Sequence, residues 1–584
     1  MPKASAEAPL LLRWSEHVPA SDVQDPLGLG LRGSARLASE LLHCITSITP
    51  RARYFSFIPW CVADWQKREK GRPFAFGLRD AIALREKGFT LACIAHHGGK
   101  PCVGGALVGS DNVAKWFAKG QAEVDLRKLP FAKNPALAAY LNSLVNLGLF
   151  LPQDDATTPD HDAESEELTL DDLELSPLGM QLVAGYDSLV GQLRSIRDMS
   201  EPGRRCTVST LRAWGTRGGL CEIAEPQAPD RQLLRDVFFA RIGLQDGSHQ
   251  VRRQTLLLIV ELCRQLSADG WSLDERTLAS AVYFGEVISD DDDRLQVSIP
   301  APLIDIAMRW RMFYFHHYMS VALEGMFAWL VTHVSEKGLG GAAIAELGED
   351  LASTVVRDAL RPLLNTAVPS NFGQSSPSEL FKQLLGLPND LTPDTSRDLD
   401  VKTRPTELFS EDRLETLIRS GEHLHSPAGL AIPMLLLGLT LGRHSQWEGT
   451  DHGNWLAGAA TDPYLDLVPP VLTAGLGRRF GRWWNQSWRD LAVFVLSRYI
   501  IQQHQAMSFE KTAVGDRCLL QFDSNRVMST GAYDKIGMGN PRLHSAIRIL
   551  KDLALLDDDE DGVTNVTPDG ARLLRAELQK TSQA

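Results

Sequence analysis

The stretch "NPALAAYLNSLVNLGLF", Asn134 to Phe150, aligns without a gap on "NPRLHSAIRILKDLALL", Asn540 to Leu556, near the other end of a 584-residue chain. Both copies open on Asn-Pro and carry leucines at matching positions, spaced so that a helix builds one buried face. Beyond an acidic insert each copy meets a second match, "SPLGMQLV" from Ser176 and "TPDGARLL" from Thr567. Asn ahead of Pro reads as a helix cap with proline in the first turn, where its missing N–H costs nothing. An apolar exit, a turn, a short strand ending in Ser/Thr-Pro-x-Gly and a closing helix make the outline of a winged-helix module. The alternative is a plain helical hairpin.

Helical periodicity dominates the rest. "RQLLRDVFFARIGL", "VRRQTLLLIVELCRQL", "PLIDIAMRWRMFYFHHYMSVALEGMFAWLVTHV" and "WRDLAVFVLSRYIIQQH" repeat apolar residues at three and four. Alternating strand patterns are few, with "FTLACIA" and "DRCLLQFD" the best of them. The expectation is a mainly α, multidomain helical protein with two winged-helix-like modules and little β-sheet. Loop-like composition at Asp154 to Glu174, at "SDDDDR" from Ser289 and at the Pro/Ser/Asp-rich region from Ala367 to Glu407 marks the breaks. They divide the chain into a helical domain with a small β element (1–125), a winged-helix-like module with an acidic insert (126–200), a helical domain (201–365), a linker-like region (366–410), a helical domain (411–505) and a C-terminal winged-helix-like module (506–584).

An apolar fraction of 44% and a charged fraction of 23% are those of an ordinary soluble protein. The net charge of -13 works against a general polyanion-binding surface, so any nucleic-acid contact must be a local basic patch. There is no secretory signal pattern and no run of 18 apolar residues; "AGLAIPMLLLGLTLG" is short and contains Pro433. A cytoplasmic location is expected, with the eight cysteines reduced because they lack a framework spacing.

Three places offer cations for nucleic acid. The helix of the second copy carries Arg542, His544, Arg548 and Lys551, where the first has neutral Asn142, Ser143 and Asn146. Both wings are acidic: Asp154, Asp155, Asp160, Asp162, Glu164, Glu166 and Glu167 in the first, Asp557, Asp558, Asp559, Glu560 and Asp561 in the second. "RRFGRWWNQSWRD" interleaves Arg478, Arg479, Arg482 and Arg489 with Phe480, Trp483, Trp484 and Trp488. That mixture stacks bases and neutralises phosphates in single-strand binders; it equally starts an amphipathic helix whose tryptophans face a core.

Other candidate chemistry is sparser. "CIAHHGGKPC" sets Cys93, His96, His97 and Cys102 within ten residues, ligand types suited to zinc, though without the second CxxC of a structural site. His317 and Glu324 lie seven apart on one helical face, the spacing of a His–carboxylate pair that fixes packing or moves a proton. "GLGLRG", Gly28 to Gly33, fits the dinucleotide-binding pattern only formally, since no apolar strand precedes it. A nucleophile elbow, a phosphate-binding Walker loop and a His-Glu-x-x-His helix are absent from the sequence.

"ITPRARYFSFIPWC", Ile48 to Cys61, reads as a helix capped by Thr49, begun at Pro50 and kinked or ended at Pro59, with its aromatics buried. Arg51 and Arg53, on the first turn, are placed to meet a phosphate or an acidic partner. With the residues before it, "DPLGLGLRGSARLASELLHCITSITPRARYFSFIPWC" resembles a family of uncharacterised bacterial proteins, a domain of unknown function marked by a Thr-x-x-Arg-x-Arg-Tyr-aromatic run ending in Trp. "WRMFYFHHYMSVALEGMF" and "NPRLHSAIRILKDLALL" are similar to later segments of that family, while His43-Cys44 departs from it where a Pro-Gly is expected. The resemblance implies a phage-defence gene neighbourhood with helicase or nuclease partners, and it assigns no catalytic residues. The expectation is a non-catalytic defence component that binds partner proteins and, through the C-terminal module, DNA. The alternatives are a metal-dependent nuclease or nucleotide hydrolase, with zinc on the Cys/His set, and a transcriptional regulator.

Overall fold

A computed structural model describes residues 25–29, 33–70, 77–100, 105–152, 173–199, 205–288, 293–364, 371–384, 409–444, 451, 483, 485–511, 518–523, 525–533, 536–537 and 539–583. The protein is mainly α, with small two- and three-stranded sheets. Two compact units are each assembled from separated chain segments: Ser34–Tyr314 with Asn540–Ala584, and Met1–Gly33 with Phe315–Gly539. Among the described residues no helix is long and apolar enough to cross a membrane.

In the first unit the Tyr54–Arg68 helix runs through the core, with Phe55, Phe57, Ile58 and Trp60 fully buried. Thr49 and Pro50 do not begin it. Arg53 is the N-cap, and the Thr49 hydroxyl instead accepts from the Thr46 N–H at 2.9 Å. Pro59 neither ends nor replaces the helix, which continues nine residues beyond it. An interior proline costs about 3 kcal/mol, but each large apolar side chain buried along this segment returns about 1.5–3 kcal/mol. Packing therefore overrides the local penalty. "FTLACIA", expected as a strand, lies inside the Leu78–His96 helix; Phe89 to Ala95 are all buried, which erases the polar positions that would have revealed a helical period. "DRCLLQFD" does supply a strand, Leu520–Asp523, in the second unit.

Arg51, just ahead of this helix, is 1% exposed and makes a two-pronged ion pair with Asp552: Nε to Oδ2 and Nη2 to Oδ1, both at 3.0 Å. Asp552 Oδ2 also accepts the Ala52 N–H at 2.9 Å, and Arg51 Nη1 donates to the Gly105 carbonyl at 2.7 Å. One carboxylate at the end of the Leu543–Asp552 helix thus holds the entry of a helix 500 residues earlier in the chain.

The internal repeat is structural. The Ala136–Asn146 and Leu543–Asp552 helices are each followed by an antiparallel hairpin, Phe150–Pro152 with Leu173–Leu175 and Leu556–Asp558 with Thr564–Val566, then by a helix from Pro177 or Pro568. Gly148 and Ala554 take the same left-handed turn, φ 70° and 53°. The Ser176 N–H donates to the Leu149 carbonyl and the Thr567 N–H to the Leu555 carbonyl, both at 3.1 Å. The Ser176 and Thr567 hydroxyls then accept from the N–H groups of Gly179 and Gly570. The reason for glycine is steric: a Cβ on Gly179 would stand 2.3 Å from the Leu149 oxygen, and one on Gly570 2.2 Å from that of Leu555. The Asn-Pro cap departs from expectation. Pro135 is the N-cap of the first copy, and its Ala136 N–H goes to the Glu86 carboxyl of a neighbouring helix. In the second copy Asn540 Oδ1 accepts from the Arg542 N–H at 2.7 Å, and the helix starts after Arg542.

The second unit centres on the part of the Ile304–Glu336 helix from Phe315 onward, nearly all of it buried, with the Ala428–His444 helix and a sheet that orders Ala342–Ala343, Arg526–Ser529 and Leu520–Asp523 side by side. Two glycines of the "GLGLRG" run allow close packing here. A Cβ on Gly28 would meet Met507 Sδ at 2.6 Å, and one on Gly33 would meet His316 Nε2 at 2.2 Å.

Two stability predictions follow from these contacts. Arg51→Met, which leaves the Asp552 carboxylate buried and unpaired, is expected to destabilise by about 3–5 kcal/mol; a urea-midpoint loss within experimental error of zero contradicts the pairing. Gly179→Ala and Gly570→Ala should each cost about 1–3 kcal/mol by overpacking, whereas Gly247→Ala, with nothing within 4 Å, should cost nothing measurable.

Candidate functional site

The cations offered for nucleic acid are mostly used by the protein itself. Arg51 is paired as described. Arg53 is 0% exposed, lies 3.5 Å from Asp230 Oδ1 and covers the Tyr186 ring at 5.5 Å. A phosphate or an acidic partner reaches neither. Arg542 donates to the Ile45 carbonyl at 2.9 Å and to the Ser39 hydroxyl at 2.6 Å, and Lys551 pairs with Asp558 of the adjoining strand. Arg548 is half-buried, its guanidinium held below the usual arginine range by burial and by Arg51; His544 is exposed. Arg478, Arg479 and Arg482 lie outside the described residues. Of the tryptophans interleaved with them, Trp488 is fully buried and Trp483 stacks on Phe494, as an amphipathic helix start requires.

The Cys/His set is not gathered into one site among the described residues. Cys93 is buried, its sulfur accepts the Leu220 N–H at 3.4 Å, and burial pushes the thiol up to about 11. His96 turns to Glu222 at 3.1 Å and to the Thr216 hydroxyl at 3.1 Å, while His97 Nε2 lies 3.4 Å from Cys221 Sγ. Cys102 is outside the described residues. The segment is the end of the Leu78–His96 helix, and Cys93, His96 and His97 are each drawn to a different partner. Among the described residues six cysteines are free and Cys221 is disulfide-bonded, a departure from the expectation of reduced thiols throughout. The cluster that does form unites His43, Cys44 and His249, with ligand atoms within 4.8 Å of one another. Sequence reasoning missed it because His249 joins the other two only through the tertiary fold.

In the second unit His317 and Glu324 do not form the pair that their spacing suggests. His317 Nε2 bonds Glu415 Oε1 at 2.8 Å, and Arg419 adds a contact at 3.2 Å. Burial pushes the Glu415 carboxyl up, but His317 and Arg419 outweigh it and hold the group below the usual range. Glu324 turns instead to the Gly537 N–H, 2.6 Å from its Oε2, and to the Tyr533 side chain. Burial, reinforced by the Asp25 carboxylate, raises Glu324 to about 7. Glu86 in the first unit is raised to about 7 by burial in the same way. Such carboxyls can carry a proton near neutral pH. His316, buried against the Leu29 carbonyl at 3.3 Å, is lowered to about 4 by burial.

Set against protein-family models, characterised proteins and solved structures, the chain matches none of them.

The two raised carboxyls set a pH dependence. Folded Glu324 keeps its proton up to about pH 7, whereas the unfolded chain releases it near 4.5. Its contribution is therefore complete below pH 4.5 and is lost as pH rises to about 7. At 1.36 kcal/mol per pH unit the loss is up to about 3 kcal/mol. Glu324→Gln should flatten the decline in urea midpoint between pH 5 and pH 8; a variant with the wild-type slope contradicts the assignment.

Proposed function

We propose that this chain is a non-catalytic component of a bacterial anti-phage defence system, and that its C-terminal helix–hairpin–helix module is a winged-helix-like element that docks a partner protein such as a helicase or nuclease. The observation that carries the partner-binding reading is the distribution of charge over that module. Arg542 and Lys551 are committed to the protein's own carbonyls and carboxylates, Arg548 is half-buried, and only His544 of the four stands exposed. The hairpin instead presents Asp557, Asp558, Asp559, Glu560 and Asp561 to solvent.

This tip is preorganised. Asp559 Oδ1 accepts from the Asp561 and Val563 N–H groups at 3.0 and 2.9 Å, and its Oδ2 accepts from Asn565. A fixed acidic edge repels a phosphate backbone and favours a basic protein surface. The same charge placement removes the main support for DNA contact by this module. The neutral exposed stripe of the first copy, Ala138, Asn142 and Asn146, offers phosphate nothing either. The defence setting rests on the resemblance of the segment around "ITPRARYFSFIPWC" and of the two later segments.

Charge reversal at Asp557 and Glu560 to lysine leaves the turn-closing Asp559 in place. It should abolish phage protection by the native gene cluster and co-purification of the partner, with no change in melting temperature. Wild-type protein should give no mobility shift with duplex DNA at low salt. Protection and co-purification that survive the reversal would sink the docking role. A low-salt shift lost on replacing His544 and Arg548 by alanine would replace it with DNA binding.

A further inference from the structure

His43 and Cys44 follow the Ala35–Leu41 helix, and His249 stands in the first turn of the Gly247–Ser267 helix. Their donor atoms lie within 4.8 Å of one another, and the two imidazoles meet edge to face with ring centres 4.9 Å apart. We propose that His43, Cys44 and His249 form a binding site for a thiophilic transition-metal ion such as Zn2+. Two imidazoles and a thiolate are ligands that zinc accepts and that magnesium and calcium do not seek.

Three features around the trio fit that role. Asp246 Oδ1 lies 2.9 Å from His249 Nδ1, the kind of outer-shell carboxylate that fixes the ring of a metal-ligating histidine. The Arg252 guanidinium, anchored by the Phe238 and Val237 carbonyls at 3.0 and 2.9 Å, acts on the Cys44 thiol to favour its ionised form. It stabilises a thiolate, and the charges of that thiolate and Asp246 together outweigh its own. Cys44 is held at φ 66°, a left-handed conformation disfavoured for any side chain. His43 is half-buried, so the trio has an edge toward solvent.

The protons can be accounted for. Burial, together with His249 and Arg252, lowers His43 to about 4, so its ring is neutral and has a lone pair to give. Burial raises the Cys44 thiol to about 12, so the ion displaces the S–H proton to the solvent. His249 Nε2 lies 3.1 Å from the Asn146 carbonyl, a contact that coordination through this nitrogen exchanges for the ion. Binding therefore tightens as pH rises.

The test uses the full chain, reduced and stripped with a chelator, titrated with Co2+ as the probe. Wild-type protein should develop a thiolate-to-cobalt charge-transfer band that saturates at one ion per chain, and Zn2+ should bleach it. Cys44→Gly suits the left-handed backbone, so the variant should fold with a melting temperature no lower than that of metal-free wild type, yet lack the band. Asp246→Asn, which still caps the helix, should weaken binding about 10–100-fold. A wild-type protein without the band, or a band that persists in Cys44→Gly, overturns the proposal; persistence would place the ion on other cysteines.

Discussion

The first unit depends on burying arginine where no water can solvate it. Arg51, Arg53 and Arg85 are all at 1% exposure or less, and each must be neutralised from another part of the chain. Arg51 meets Asp552 across 501 residues, Arg53 lies beside Asp230, and Arg85 bonds both Asp64 and Glu69 at 2.7–3.0 Å. Desolvating such an ion costs several kcal/mol unless the geometry is good and the remaining donors are bonded. Arg51 satisfies both conditions. Arg53 does not: its Nε, Nη1 and Nη2 have no hydrogen-bond partner, and its carboxylate stands at 3.5 Å. Of the two arginine–carboxylate pairs at the entry of the Tyr54–Arg68 helix, that of Arg51 is thus the tighter. It is one of several contacts that tie the C-terminal 45 residues to residues 34–314, with Arg235 on the Leu553 carbonyl and Arg241 and Arg253 on Glu577.

The repeated module follows a different logic, that of a backbone close approach. In both copies the helix after the hairpin passes directly over a carbonyl of the turn that leads from the first helix into the hairpin, and only glycine fits between them. Ser176 or Thr567 caps the incoming helix, and the proline after it occupies a position that needs no N–H. The copies then diverge in charge. The outer face of the first helix is neutral, with Ala138, Asn142 and Asn146 exposed, while the second helix carries His544 exposed and Arg548 half-buried. A shared scaffold with different surfaces suits two different contacts rather than one repeated activity.

Much of this architecture was legible in the sequence. The repeat announced its helix, hairpin and closing helix because the Ser/Thr-Pro-x-Gly signature encodes local geometry. The long apolar periods announced their helices for the same reason. "FTLACIA" misled because full burial makes a helix look like a strand, and Pro59 misled because packing of aromatic neighbours outweighs one lost hydrogen bond. Candidate sites were harder to see. His317 found Glu415 rather than Glu324, its helical neighbour, and the Cys93 region dispersed along the end of a helix. Pairing between side chains on different elements is set by packing, to which spacing along one element is blind.

The sequence by itself determined the helical class, the duplicated module and the acidic character of its hairpins, since these follow from periodicity, turn chemistry and composition. Only the tertiary structure decided that Arg51 and Arg53 are internal, that Glu324 and Glu86 hold their protons to near neutral pH, and that His249 joins His43 and Cys44. The physical reason is common to all three. Charge, protonation and ligation depend on what surrounds a group after water has been removed, and those neighbours come from segments up to 500 residues away.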